Sequence, residues 1–180
     1  MIERQRLKQR ISTALGRSRV VALIGPRQCG KTTLAQNLAL AFATSLSTTV
    51  IHMDDLYNGW NNALSNPLAE ILDRISTAHI AGREFVIKIF NWHTMAFDRE
   101  ERITPTDYLI IEGVGAAQQI VRETGATTYW LDIEPEIGLQ RVLDRDGAHI
   151  EAQMRQWQVD QDKHFARDET RENCEFKLTS

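Results

Sequence analysis

The chain carries only two cysteines, Cys29 and Cys174, so a disulfide framework does not support the fold. No apolar run reaches the roughly 20 residues that a membrane-crossing helix needs. The opening residues, Met1-Ile2-Glu3-Arg4-Gln5-Arg6, are charged and lack the apolar centre of a secretory leader. No sign of charge dominates: 21 basic and 24 acidic residues leave a net charge of −3, which gives no support to nucleic acid as the main partner. The five histidines (His52, His79, His93, His149 and His164) show no metal-ligand spacing, so no zinc site is expected. Repeats and low-complexity stretches are also missing. These absences leave a soluble, cytoplasmic protein of one domain spanning residues 1–180, a monomer or small homo-oligomer with no membrane partner.

What the chain does contain is a phosphate-binding pattern. Residues 25–32 read Gly25-Pro26-Arg27-Gln28-Cys29-Gly30-Lys31-Thr32, which fits G-x-x-x-x-G-K-[ST]. The β-branched run Val20-Val21-Ala22-Leu23-Ile24 precedes it, and the helix-forming run from Thr33 to Ala39 follows it. Gly25 and Gly30 permit backbone angles and close approaches that a Cβ would forbid. The amides of Arg27, Gln28, Cys29 and their neighbours, with the helix N-terminus at Lys31, Thr32 and Thr33, then form a concavity for phosphate oxygens. Lys31 supplies positive charge to the terminal phosphates, and the Thr32 hydroxyl is placed to ligate Mg²⁺. ATP and Mg²⁺ are therefore the expected cofactors.

Periodicity organises the remainder. Helices are expected over 2–16, 31–43, 67–80, 135–144 and 154–167, and strands over 20–24, 49–53, 84–90, 108–111, 127–133 and 176–178. The 84–90 strand has the alternation of one half of a hairpin. Alternating strands and helices imply a three-layer α/β fold, the P-loop NTPase type, around a five-stranded, mostly parallel sheet.

In such a sheet ligands lie beyond the carboxyl ends of the strands. The first strand ends in the Gly25–Thr32 loop, the second in Asp54-Asp55, and the 108–111 strand in Glu112-Gly113. Asp54 is positioned to orient an acceptor hydroxyl and take its proton, while Thr32, Asp54 and Glu112 form a candidate metal set. Arg141 and Arg145, four residues apart on one helix face, are candidates for stabilising charge on a transferring phosphoryl group. The alternative for these arginines is an exposed salt-bridged face with Asp144 and Asp146.

Taken together, the loop, His52-Met53-Asp54-Asp55-Leu56-Tyr57, Ile110-Ile111-Glu112-Gly113 and the Arg141…Arg145-Asp146 segment resemble the uridine kinase-like group of P-loop kinases. The likeness is strongest to small bacterial members with the segment Asp-Asp-Leu-Tyr-x-Gly-Trp, here Asp54 to Trp60. It extends through Trp157 and His164-Phe165-Ala166-Arg167. The resemblance implies ATP-dependent phosphoryl transfer to a hydroxyl of a nucleoside or nucleotide. Asp54 matches the family's catalytic aspartate, Lys31 and Thr32 its phosphate and Mg²⁺ residues, and Glu112 its acidic strand-end position. Arg141 and Arg145 match its lid arginines. Asp55, Tyr57, Trp60, Asn91 and Trp92 are the candidate acceptor contacts, with Asn91 standing where better known nucleoside kinases have aspartate.

Pro26-Arg27-Gln28 is bulkier than the Ser and Gly usual in that group. Gly-Pro-Arg-Gln-x-Gly-Lys-Thr-Thr-Leu is similar instead to AAA-type ATPases, a likeness confined to about the first 40 residues. Two alternatives to a nucleoside or nucleotide kinase follow. One is a P-loop kinase for a sugar acid or other alcohol, and the other an AAA-like ATPase or regulatory ATP-binding protein.

Overall fold

The computed structural model describes residues 19–179, so the basic segment expected to be helical over 2–16 lies outside the described residues. Strand β1 (Val20–Ile24) is buried along its whole length. It is the middle of a five-stranded sheet in the order β2-β5-β1-β6-β7. The other strands are β2 (Thr48–His52), β5 (Tyr108–Glu112), β6 (Thr127–Asp132) and β7 (Phe176–Thr179). Every pairing within this sheet is parallel. The sheet is thus wholly rather than mostly parallel, as expected where both faces are covered.

Period-2 alternation in β1 divides the core. Val20, Ala22 and Ile24 face one layer, where α2 (Asn66–Ile80) contributes Leu68, Leu72 and Ile75 and α5 (Glu151–Asp168) contributes Trp157 and Phe165. Val21 and Leu23 face the opposite layer, with Ala35 and Leu38 of α1 (Lys31–Phe42) and Tyr129 and Leu131 of β6. A third cluster joins Leu139 and Val142 of α4 (Pro135–Asp146) to Met154 of α5. Short helices α3 (Gln119–Arg122) and α6 (Thr170–Asn173) complete the set.

A separate antiparallel hairpin pairs β3 (Phe85–Asn91) with β4 (Ala96–Ile103). β3 buries Phe85, Ile87 and Ile89, whereas β4 is exposed at every position except Ile103. No helix among the described residues is long and apolar enough to cross a membrane.

Candidate active site

The Gly25–Thr32 loop leaves the carboxyl end of β1 and turns directly into α1. Gly25 has φ +149, and a Cβ there would sit 2.0 Å from the Leu131 carbonyl oxygen of β6. Gly30 caps α1 in the left-handed region at φ +94, and no side chain caps the helix. Its first amides are therefore left for a ligand. Buried Lys31 donates from Nζ to the carbonyls of Gly25 (3.1 Å) and Pro26 (2.7 Å) and contacts Cys29 Sγ at 3.5 Å. Burial pushes the Cys29 thiol up, against the opposing pull of Lys31. The raised value favours the protonated thiol, and the buried side chain packs within the loop.

Three strand ends converge on a cleft of about 410 Å³ beside this loop. Loop and helix residues Arg27, Gln28, Gly30, Lys31, Thr32 and Thr33 line one side, and Asp54, Glu112, Arg141 and Arg145 line the rest with Gly113, Val114 and Trp157. Thr32 Oγ1 donates to Glu112 Oε1 at 2.8 Å, and His52 Nδ1 donates to the same oxygen at 2.6 Å. That bond to Glu112 raises the His52 pKa against the opposing effect of burial. A hydroxyl and a carboxylate in contact, with Asp54 on the same cleft, are hard oxygen donors suited to Mg²⁺.

Both Arg141 and Arg145 reach the cleft. Arg141 donates to the Gln28 carbonyl at 3.1 Å, fixing α4 to the loop. Arg145 forms a two-pronged bond with Asp146. This bond holds the Arg145 pKa up and the Asp146 pKa down. Asp146 is therefore the salt-bridge partner of Arg145, whereas Asp144 is bonded by Gln140.

The five expected acceptor contacts lie outside the cleft lining. Asp55 is half-buried behind Asp54, its pKa raised first by desolvation, with Arg99 and Glu101 of β4 within electrostatic reach. The structure corrects the expectation for Tyr57. Its ring is buried in the core, and its hydroxyl donates to the Val114 carbonyl at 2.7 Å, so it offers no face to a ligand. Asn91 is also committed, donating to Asp98 and accepting from the amides of His93 and Thr94 to hold the hairpin turn. Trp60 and Trp92 pack on each other with ring centres 4.8 Å apart, both half-buried. Trp92 Nε1 donates to the Asp54 backbone carbonyl at 2.9 Å and ties the hairpin to the segment that carries Asp54.

Residues 17–91 match a family described as an AAA domain. No curated protein is significantly similar in sequence. Among solved structures, a proposed uridine kinase from Bacillus stearothermophilus superposes with a TM-score of 0.71 at 19% identity, covering 99% of this chain and all of that one. A proposed fructose transport system kinase from Silicibacter superposes with a TM-score of 0.60 at 18% identity, covering 96% of this chain and 97% of that one. The chain shares the fold of these structures, a three-layer α/β arrangement around a five-stranded parallel sheet.

Within that fold, several contributors to the site carry no sequence signal of their own. His52 reads as one more residue of a buried strand until β2 and β5 pair and set it opposite Glu112. Trp157 reads as part of a polar helix, yet it lines the cleft. Gln161 and Gly138 secure Arg27 from two different helices. Only the fold brings these positions together.

Proposed function

We propose that the protein is an ATP-dependent kinase that transfers the γ-phosphoryl group to a hydroxyl of a small molecule, with nucleosides and nucleotides the acceptors that the sequence resemblance suggests. One observation carries this reading: the Asp54 carboxylate shares a cleft with Lys31, Thr32 and Glu112. Phosphate loop, metal donors and a candidate base thus open onto one space.

Lys31 leaves the Gly25 and Pro26 carbonyls for the oxygens of the terminal phosphates, and the α1 amides bind the same groups. Thr32 and Glu112, with Asp54 alongside, are the residues that would hold Mg²⁺. The cation, when bound, neutralises charge on the phosphates. Asp54 accepts the proton as the acceptor oxygen bonds to the γ-phosphorus and the bond to the ADP oxygen breaks. Arg141 and Arg145 stabilise charge spread over the transferring oxygens.

The test is Asp54→Asn. Transfer should fall on the order of a hundredfold or more, with the Kd for ATP little changed. Unaltered turnover would remove Asp54 from the chemistry. The AAA-domain match over residues 17–91 supports a second reading, an ATPase that assembles on binding nucleotide. Size-exclusion chromatography with and without ATP separates the two, because a nucleotide-driven ring would elute as a large species.

A further inference from the structure

Among the described residues the Arg27 side chain forms no ion pair, although Asp146 lies within its electrostatic reach. Among the described residues, every arginine in an ion pair has its own carboxylate: Arg102 with Glu84, Arg122 with Asp168, Arg145 with Asp146, Arg155 with Glu136 and Glu151, and Arg171 with Asp132. Arg27 is half-buried, and its Nε is buried with no hydrogen-bond acceptor. A buried guanidinium nitrogen left without an acceptor lacks the compensation that buried polar groups normally have.

Its direction is fixed by the backbone. The Arg27 amide donates to Gln161 Oε1 of α5 at 3.2 Å and so is not available to phosphate. Its carbonyl faces α4 closely enough that a Cβ on Gly138 would stand 2.9 Å from it. Held between two helices, the residue extends its guanidinium across Trp60, 5.5 Å from the ring centre. Trp60 packs on Trp92, which donates to the Asp54 carbonyl. Arg27 and Asp54 line the same cleft.

The charges of the cleft point the same way. Its lining holds the cations Arg27, Lys31, Arg141 and Arg145 against the carboxylates Asp54 and Glu112. Lys31 and Arg141 bond to loop carbonyls and stand on the nucleotide side, and Arg145 has Asp146. Arg27, which forms no ion pair and has the Arg145-bonded Asp146 in electrostatic reach, is the cation we assign to a second anion.

We infer that the acceptor is itself anionic, and that Arg27 holds its charged group while Asp54 engages its hydroxyl. The ligand chemistry is an oxyanion on a hydroxyl compound, supplied by a hydroxycarboxylate or by a phosphate monoester. A planar guanidinium suits either group with two parallel hydrogen bonds. Neutral nucleosides and sugars offer it nothing equivalent. The inference rests on the kinase reading for the word acceptor, but the binding it describes is measurable without turnover.

The test is calorimetric titration of the full chain, saturated with Mg²⁺ and a non-hydrolysable ATP analogue. Uridine and ribose serve as neutral probes, gluconate and glycerate as carboxylates, and uridine monophosphate and glycerol 3-phosphate as phosphate monoesters. Binding is expected from at least one anionic class and not from the neutral probes. Arg27→Gln should weaken it on the order of tenfold to a hundredfold, Arg27→Lys should recover part of the loss, and the Kd for the nucleotide should stay within about twofold. Neutral probes binding as well as anionic ones, no probe binding, or Arg27→Gln weakening the nucleotide instead would each overturn the assignment. Incubating the binders with ATP reads the kinase proposal separately. An anion that binds through Arg27 but is not phosphorylated leaves this assignment standing and removes the proposed reaction.

Discussion

His52 and Glu112 meet at 2.6 Å across the paired ends of β2 and β5. The Glu112 oxygen in that contact also accepts the Thr32 hydroxyl, so the imidazole orients a carboxylate that stands at the candidate metal position. Outer partners of this kind tune affinity by about ten- to a hundredfold. His52→Leu should weaken Mg²⁺ by roughly that factor, while His52→Gln, which keeps a donor, should recover part of it. The readout is the extra thermal stabilisation by ADP with Mg²⁺ over ADP with EDTA. Equal increments in wild type and His52→Leu would detach His52 from the metal site.

The two loop glycines are required for different reasons. At Gly25 a Cβ would collide with the Leu131 backbone, which cannot move without parting β1 from β6. Gly25→Ala is expected to cost at least about 3 kcal/mol. At Gly30 nothing lies within 4 Å, and only the left-handed backbone angle is at stake. Gly30→Ala should cost about 1–2 kcal/mol. Urea unfolding of both variants checks the order, and equal losses would contradict it.

A buried ion pair fastens the end of α5. Arg122 donates to Asp168 at 2.6 Å, with both side chains largely buried, and also reaches the Ala117 carbonyl. Asp168 further accepts from Thr170 and from the Gln119 amide. Replacing Arg122 with Met strands the carboxylate inside this network, at an expected cost of about 3–5 kcal/mol. Urea unfolding that shifts by less than about 1 kcal/mol would show a solvated, weak pair.

Acid should destabilise the fold through two imidazoles. Burial lowers the pKa of His79, with the Arg19 charge adding to the effect and a hydrogen bond to the Arg19 backbone opposing it. Burial also lowers that of His164, where Asp168 opposes the effect and Arg167 and Arg122 add to it. Both rings are buried, so the folded state favours their neutral forms. Their contribution is present above the ordinary imidazole value of about 6.5 and is lost as pH falls through the lowered folded values. His52, with its raised pKa, opposes this trend. Urea midpoints between pH 7.5 and 5 (roughly spanning the imidazole range) should fall less steeply in a His79→Gln, His164→Gln double variant. An unchanged slope would assign the acid limb to other groups.

The sheet and the loop were legible in the sequence because their signals are local. β1 is an uninterrupted apolar run, and the glycine spacing of the loop is set by backbone geometry. The polar ends of β2 and β5 likewise announced Asp54 and Glu112. β4 was not legible, because Ala96–Ile103 is mostly charged and holds its place by pairing with β3 rather than by burial. Tyr57 and Asn91 looked like ligand contacts because sequence pattern does not reveal what a side chain already touches. Arg27 looked like a loop residue among others, and its placement depends on Gln161, Gly138 and Trp60, which are far away along the chain.

Phosphorus NMR follows the γ-phosphate of ATP directly. In the presence of Mg²⁺ and a mixture of hydroxyl compounds, wild type should convert that resonance into a new phosphate monoester with matching ADP, and Asp54→Asn should not. Release of inorganic phosphate alone, at a rate indifferent to every hydroxyl compound supplied, would contradict phosphoryl transfer from the loop towards Asp54.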